Sequence, residues 1–278
     1  MPYAYEMIRV SVADGVATAT IDNPPVNVMT PALWAELDRL SQEIDEDDAV
    51  RVLVVCSADP EFFIAHFDVA AILERPVVTP VVPTDKPKAF HVMCERYRKM
   101  STVTIARIEG RVGGGGAELA ASMDMRFGVV GRTIINQMEV ALGILPGGTG
   151  TQRLPRLIGR GRALEIILGC DDLDAATAEA WGWLNRALPA AEIGPFVDDL
   201  AARIASFPAD AVALAKQAVT AADKPLAQGL ADEANLFNVL LRSPDARANM
   251  ARFLEIGGQT REGEAQMGVL CRRLGQGD

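Results

Sequence analysis

The chain has 278 residues, of which 49% are hydrophobic, 23% charged and 5% aromatic, enough apolar material for one large domain or two modest ones. Its 27 basic and 37 acidic residues leave a formal charge of −10, which argues against nucleic acid as the main ligand, because phosphate binding needs a basic surface. Four scattered cysteines without a CxxC pair, and only two histidines, argue against a zinc site and against a disulfide scaffold.

The first ten residues lack the basic and then apolar pattern of a secretory leader. Ile8, Val10 and Val12 alternate ahead of Asp14-Gly15, and Val16 to Ile21 follows, which predicts a hairpin over 7–21. Asn23-Pro24-Pro25 breaks it. Thr30-Pro31, with Leu33, Leu37, Leu40 and Ile44 at helical spacing, predicts a capped helix to about residue 47. The apolar run 50–56 reads as a buried parallel strand. Phe62 to Asp68 reads as an apolar loop, with a short helix from Asp68. Prolines 76, 80, 83 and 87 forbid regular structure over 75–88. Helix returns over 89–100, and 103–108 is a second buried strand. The run Gly113 to Gly116 opens a helix, 125–130 is a third strand, and Pro146 to Gly150 opens another helix. Beyond residue 160 the pattern is mostly helical: 161–168, 175–182, 191–206, 208–222, 225–241 and 245–256. No run reaches the roughly 18 apolar residues of a membrane span, so a cytoplasmic location is the expectation. Alternating strands and helices followed by helices alone make the fold class α/β with a helical C-terminal part.

No GxSxG, HExxH, GxGxxG or GxxxxGK[ST] pattern is present, and two histidines leave little room for a serine-protease type of triad. Carboxylates, glycine-rich backbone and arginines remain. Three segments combine them. In Arg111 to Glu118, four glycines between a buried strand and a helix let a ligand approach backbone N–H groups at the positive end of the helix dipole. Taken alone, the run is equally a tight strand-to-helix turn with Glu118 favouring that dipole. Phe62 to Asp68 alone is a hydrophobic loop with Asp68 as a helix cap, and His66 within it a packed or solvated loop residue. In Asn136 to Leu154, Glu139 precedes an apolar segment leading to the turn Pro146-Gly147-Gly148-Thr149-Gly150; alone, Glu139 is a surface carboxylate.

Together, the order and spacing of these segments resemble the enoyl-CoA hydratase/isomerase (crotonase) superfamily. Glu109 to Asp124 is similar to its glycine-rich oxyanion segment, Phe62 to Val69 to its first oxyanion segment, and Pro146 to Leu154 is a specific match. The resemblance covers roughly residues 8 to 255. It implies a spiral of ββα units over about residues 1–200 and a helical trimerisation region over 201–278. It also implies a homotrimer or homohexamer and an acyl-coenzyme A thioester as the bound partner. No metal, no separate cofactor, no nucleic acid and no membrane are implied.

Carried onto this chain, the resemblance makes the backbone N–H groups of Phe67 and Gly115 an oxyanion hole. Ala65, His66, Asp68, Gly114, Pro146 and Gly147 then line the substrate. Glu118 and Glu139 stand where hydratases hold two glutamates, Glu118 as base on a water and Glu139 as acid toward the α-carbon. The implied reaction is syn addition of water to a 2-enoyl-CoA, giving a 3-hydroxyacyl-CoA. Alternatives are another reaction of the same fold (isomerase, decarboxylase, thioester hydrolase or C–C lyase) or a non-catalytic acyl-CoA binding protein. The chain departs from the family pattern at His66 (usually glycine), Phe67 (usually small), Gly113, Ala70 and Met138, and lacks basic residues after Phe253-Leu254-Glu255. Arg75, Lys86 and Lys88 in the proline-rich segment read as solvated charge, with coenzyme A binding as the alternative.

Overall fold

Asp14 and Gly15 turn the first hairpin with φ of 50° and 79°, the left-handed pair a two-residue turn of this hand needs. The hairpin joins β1 (Ile8–Ala13) to β2 (Val16–Ile21), paired antiparallel from Ile8 opposite Ile21 to Ala13 opposite Val16. The computed structural model describes residues 3–76, 80 and 84–276; the expected proline-rich loop therefore lies partly outside the described residues.

The hairpin edges a six-stranded sheet that continues through β3 (Val52–Ser57), where β2 and β3 run parallel. After β3, β4 (Phe62–Ile64) leaves for a second sheet, and β5 (Val103–Ile108) returns beside β3. Next come β6 (Arg111–Gly113), β7 (Met125–Val129), β8 (Ile134–Asn136), β9 (Leu173–Asp174) and β10 (Arg186–Leu188). The large sheet has the order β1-β2-β3-β5-β7-β10 and the small one β4-β6-β8-β9.

The helices are α1 (Pro31–Asp45), α2 (Val69–Leu73), α3 (Ala89–Lys99), α4 (Gly114–Ser122), α5 (Gly150–Ile158), α6 (Arg160–Gly169) and α7 (Ala175–Trp181). They are followed by α8 (Ala190–Ala205), α9 (Ala209–Thr220), α10 (Leu226–Leu240), α11 (Pro244–Glu255), α12 (Arg261–Glu264) and α13 (Met267–Gln276).

The continuous apolar run of β3 is explained by burial on both faces. Val52 and Val54 pack with Ile193, Val197 and Ala201 of α8, while Leu53 and Val55 join the larger core with Leu33, Leu37 and Leu40 of α1. Thr30 caps α1 as expected, its hydroxyl accepting from Leu33 N–H at 3.2 Å, with Pro31 first in the helix. Arg126 is buried under α4 and donates to the carbonyls of Met123 and Trp183, each at 2.7 Å. A cation at a helix C-terminus favours the dipole; burial nevertheless pulls its pKa down to about 10.

Two expectations are corrected. Phe62 to Asp68 is not wholly loop, because Phe62–Ile64 is a strand. The small sheet was absent from the pattern, its strands being two or three residues long. The boundary at residue 200 falls inside α8, which packs on the large sheet to Ala205. Beyond it, α9, α10 and α11 bury no residue completely. Among the described residues, no helix is long and apolar enough to cross a membrane.

Candidate active site

The small sheet builds the site. β4, β6 and β8 are parallel neighbours, and ligand sites favour the C-terminal ends of such strands. Past β4 comes Phe67, past β6 come Gly115 and Glu118, and past β8 comes Glu139. Phe67, Gly115, Glu118, Glu139 and Gly147 line one cavity of about 690 Å³.

Phe67 forms a parallel bridge with Met29. Met29 N–H donates to His66 O at 2.8 Å, and Asp68 N–H donates to Met29 O at 3.1 Å. A parallel bridge uses the residues on either side and leaves the N–H of Phe67 facing the other way. That N–H has no acceptor among the described residues. Gly115 is the second residue of α4, where a helix leaves N–H groups unpaired. A Cβ built on Gly115 would lie 3.1 Å from Phe67 Cβ and 3.7 Å from Phe67 N. The two donors are therefore adjacent, and glycine is what permits the approach. Gly114, at φ 45°, is pressed between His66 and Glu139 Oε1.

Glu118 is only 4% exposed. Its Oε1 accepts three backbone N–H groups, from Gly148 at 2.8 Å, Thr149 at 2.9 Å and Gly150 at 2.7 Å. The glycine-rich turn thus places the N-terminus of α5 around one carboxylate oxygen. Burial raises the pKa of Glu118, against the pull of the Gly150, Thr149 and Gly148 donors and of His91. Glu139 begins a 3-10 turn (Glu139–Leu142) closed by Gly143 at φ 78°. Its Oε2 is buried without a hydrogen-bond partner. Burial pushes its pKa from 4.5 up to about 7; its own backbone N–H opposes this and the charge of Glu118 adds to it. Two carboxylates on one cavity, the charge of Glu118 disfavouring ionisation of Glu139, are suited to moving a proton in and a proton out.

The remaining expected residues support this arrangement without lining the cavity. Ala65 O lies against Gly113, as a Cβ there would sit 2.5 Å from it. His66 Nδ1 bonds the Phe67 carbonyl at 2.8 Å. Asp68 caps α2, accepting from Ala70 N–H at 2.9 Å and Ala71 N–H at 3.3 Å. Pro146 lines a second cavity behind the glycine-rich turn.

Sequence reasoning missed much of the wall: Trp34, Ile72, Phe90, Ile144, Leu145 and Gly148. Trp34, Phe67 and Phe90 form a mutual cluster with ring centroids 6.1–6.2 Å apart. Arg75 stacks its guanidinium 5.5 Å from the Phe67 ring, and Arg75 and Lys88 both line the cavity. Trp34 and Phe90 carried no signal beyond helical apolar spacing, which reads as core. Among the described residues, no three His, Cys, Asp or Glu side chains are grouped to hold a metal.

Residues 11–262 match the enoyl-CoA hydratase/isomerase family. A protein of Rhizobium meliloti named "Probable enoyl-CoA hydratase" is 31% identical over 254 residues, covering 90% of this chain and 96% of its own. The "Crotonyl-CoA hydratase" of Syntrophomonas wolfei is 29% identical over 258 residues, covering 91% and 96%. A crystal structure from Streptomyces avermitilis is 38% identical with a TM-score of 0.71, covering 98% of this chain and all of that one.

Proposed function

The chain belongs to the enoyl-CoA hydratase/isomerase family, and we propose that it hydrates 2-enoyl-CoA thioesters to 3-hydroxyacyl-CoA by syn addition. The observation that carries this reading is the pair of buried glutamates facing one cavity beside two adjacent, unpaired backbone donors. Relatives named as hydratases lend support.

In this reading the thioester oxygen accepts from the N–H groups of Phe67 and Gly115. Those donors draw electron density from the conjugated system and leave C3 electrophilic. Fixed donors of this kind lower the barrier by about 2.7–4 kcal/mol each in well-studied enzymes. Glu118 Oε1 is occupied by backbone, so Oε2 is the atom that takes a proton from water as its oxygen joins C3. Glu139, raised to about 7, keeps its proton in about half of the molecules at neutral pH, and this protonated form delivers it to C2. Coenzyme A enters as part of the substrate, and the proposal includes neither metal nor separate cofactor. It places the protein in the cytoplasm.

A homotrimer or homohexamer is proposed as well. Val219, Leu226, Leu230 and Phe237, on the helices without buried residues, are 54–77% exposed, an apolar surface that another copy would cover.

The test is the loss of conjugated-thioester absorbance with crotonyl-CoA and longer or aromatic enoyl-CoAs. Glu118→Gln should retain the fold, since an amide oxygen still accepts the three N–H groups, and should lower kcat by about 10²–10⁴. Isomerised, decarboxylated or hydrolysed product in place of the water adduct would refute the hydratase reading.

A further inference from the structure

We infer that His91 is a positioning residue for Glu118, acting through the single peptide that joins Gly147 to Gly148. The inference deepens the reading of Glu118 as the base and rests on it.

His91 is the third residue of α3, and its Nδ1 accepts the N–H of Lys88 at 3.1 Å. A ring nitrogen that accepts carries no proton, so in the neutral ring the proton sits on Nε2. Nε2 lies 2.8 Å from the Gly147 carbonyl oxygen and donates to it. That carbonyl shares one planar peptide with the Gly148 N–H, which donates to Glu118 Oε1 at 2.8 Å. The peptide is thus gripped at both ends, by imidazole at its oxygen and by carboxylate at its N–H. It cannot rotate without breaking both bonds, and bonds in series polarise one another.

The surroundings show why a grip from α3 is needed here. A Cβ at Gly148 would fall 2.3 Å from Glu118 Oε2 and 2.6 Å from Phe90 Cε1, so a side chain at 148 cannot anchor the turn. The turn also has open space on two sides. Leu145 and Gly147 line both the 690 Å³ cavity and a second cavity of about 510 Å³. His91 reaches the turn from the second cavity. Glu95, Arg153 and Asp223 share that cavity but are engaged elsewhere: Glu95 with Arg98, Lys99 and Arg153, and Asp223 with Arg98. Both recorded hydrogen bonds of the imidazole are to backbone.

Three variants separate a positioning donor from simple packing. In His91→Gln the amide nitrogen stands as many bonds from Cα as imidazole Nε2 and still donates to Gly147. In His91→Asn it stops one bond short, and His91→Leu has no donor. Hydration of crotonyl-CoA should show kcat about tenfold lower in the Asn and Leu variants, with KM within about twofold and the Gln variant close to wild type. Wild-type kcat in Asn and Leu, or a Gln variant as slow as Leu, would overturn the inference. A second measurement needs no change at His91. With only two histidines in the chain, ¹⁵N NMR of histidine-labelled protein, assigned with a His66 variant, reads the tautomer directly. Nε2–H supports the inference and Nδ1–H overturns it. Failure of the wild type to hydrate any enoyl thioester would end the hydratase reading, while the tautomer would still decide whether the relay exists.

Discussion

Glu139→Gln should stabilise the protein at alkaline pH while removing its activity. Glu139 is 8% exposed, and one carboxylate oxygen has no donor. Burial, with the charge of Glu118 adding to it, raises its pKa from 4.5 to about 7. Below pH 4.5 the acid is neutral in both folded and unfolded chains. From 4.5 to about 7 the unfolded chain releases its proton and the folded chain keeps it, so stability falls as pH rises; above about 7 the loss levels off. The full gap is worth about 3 kcal/mol. Because the sequence pI is 4.8, the practical window is pH 5.5 to 8.5, over which about 2 kcal/mol of that loss accrues. Glutamine has no proton to lose. Relative to wild type, the variant should gain about 4 °C in melting midpoint between those two pH values. Thermal melts of both proteins at both pH values give this double difference, and kinetics on the same samples should show a loss of about 10²–10⁴. A double difference of zero, or of opposite sign, would refute the argument that ionising this carboxylate strains the fold.

Gly115→Ala places a Cβ 3.1 Å from that of Phe67 and should push the two donors apart. We expect kcat to fall by about tenfold or more with acyl-CoA binding retained; unchanged kcat would exclude a shared hole. Phe67→Ala removes a ring packed on Trp34 and Phe90 and should shift kcat/KM by about tenfold toward bulkier acyl groups, read from an enoyl-CoA panel. Leu230→Asp with Phe237→Asp puts charge on the exposed apolar face of α10; light scattering should report a smaller species, and an unchanged mass would remove that face from the assembly.

Which parts were legible follows from length and locality. The hairpin, β3, β5 and β7 run for five or six residues, long enough for alternation or continuous burial to show. β4, β6, β8 and β9 are too short to carry a period, yet three of them deliver the site. Gly113 to Gly116 stood out by composition. The reason for it, the close passage of residues 64–67 against the run, is a tertiary fact. So is the cradle of three N–H groups around Glu118: Pro146 to Gly150 announced a helix start, but nothing local said which carboxylate it would receive. Trp34 and Phe90 were hidden because a cavity wall and a core face share one spacing.

The adjacency of Phe67 and Gly115 has a wider consequence. They follow paired parallel strands, which lie about 4.8 Å apart, so the backbone itself brings the two donors side by side once position 115 carries no side chain. In the proposed reading, the carboxylates, the aromatic wall and the cations of this site are side chains open to substitution one at a time, whereas the pair of donors offered to the thioester oxygen belongs to the backbone and is common to any sequence that keeps these strands and this glycine.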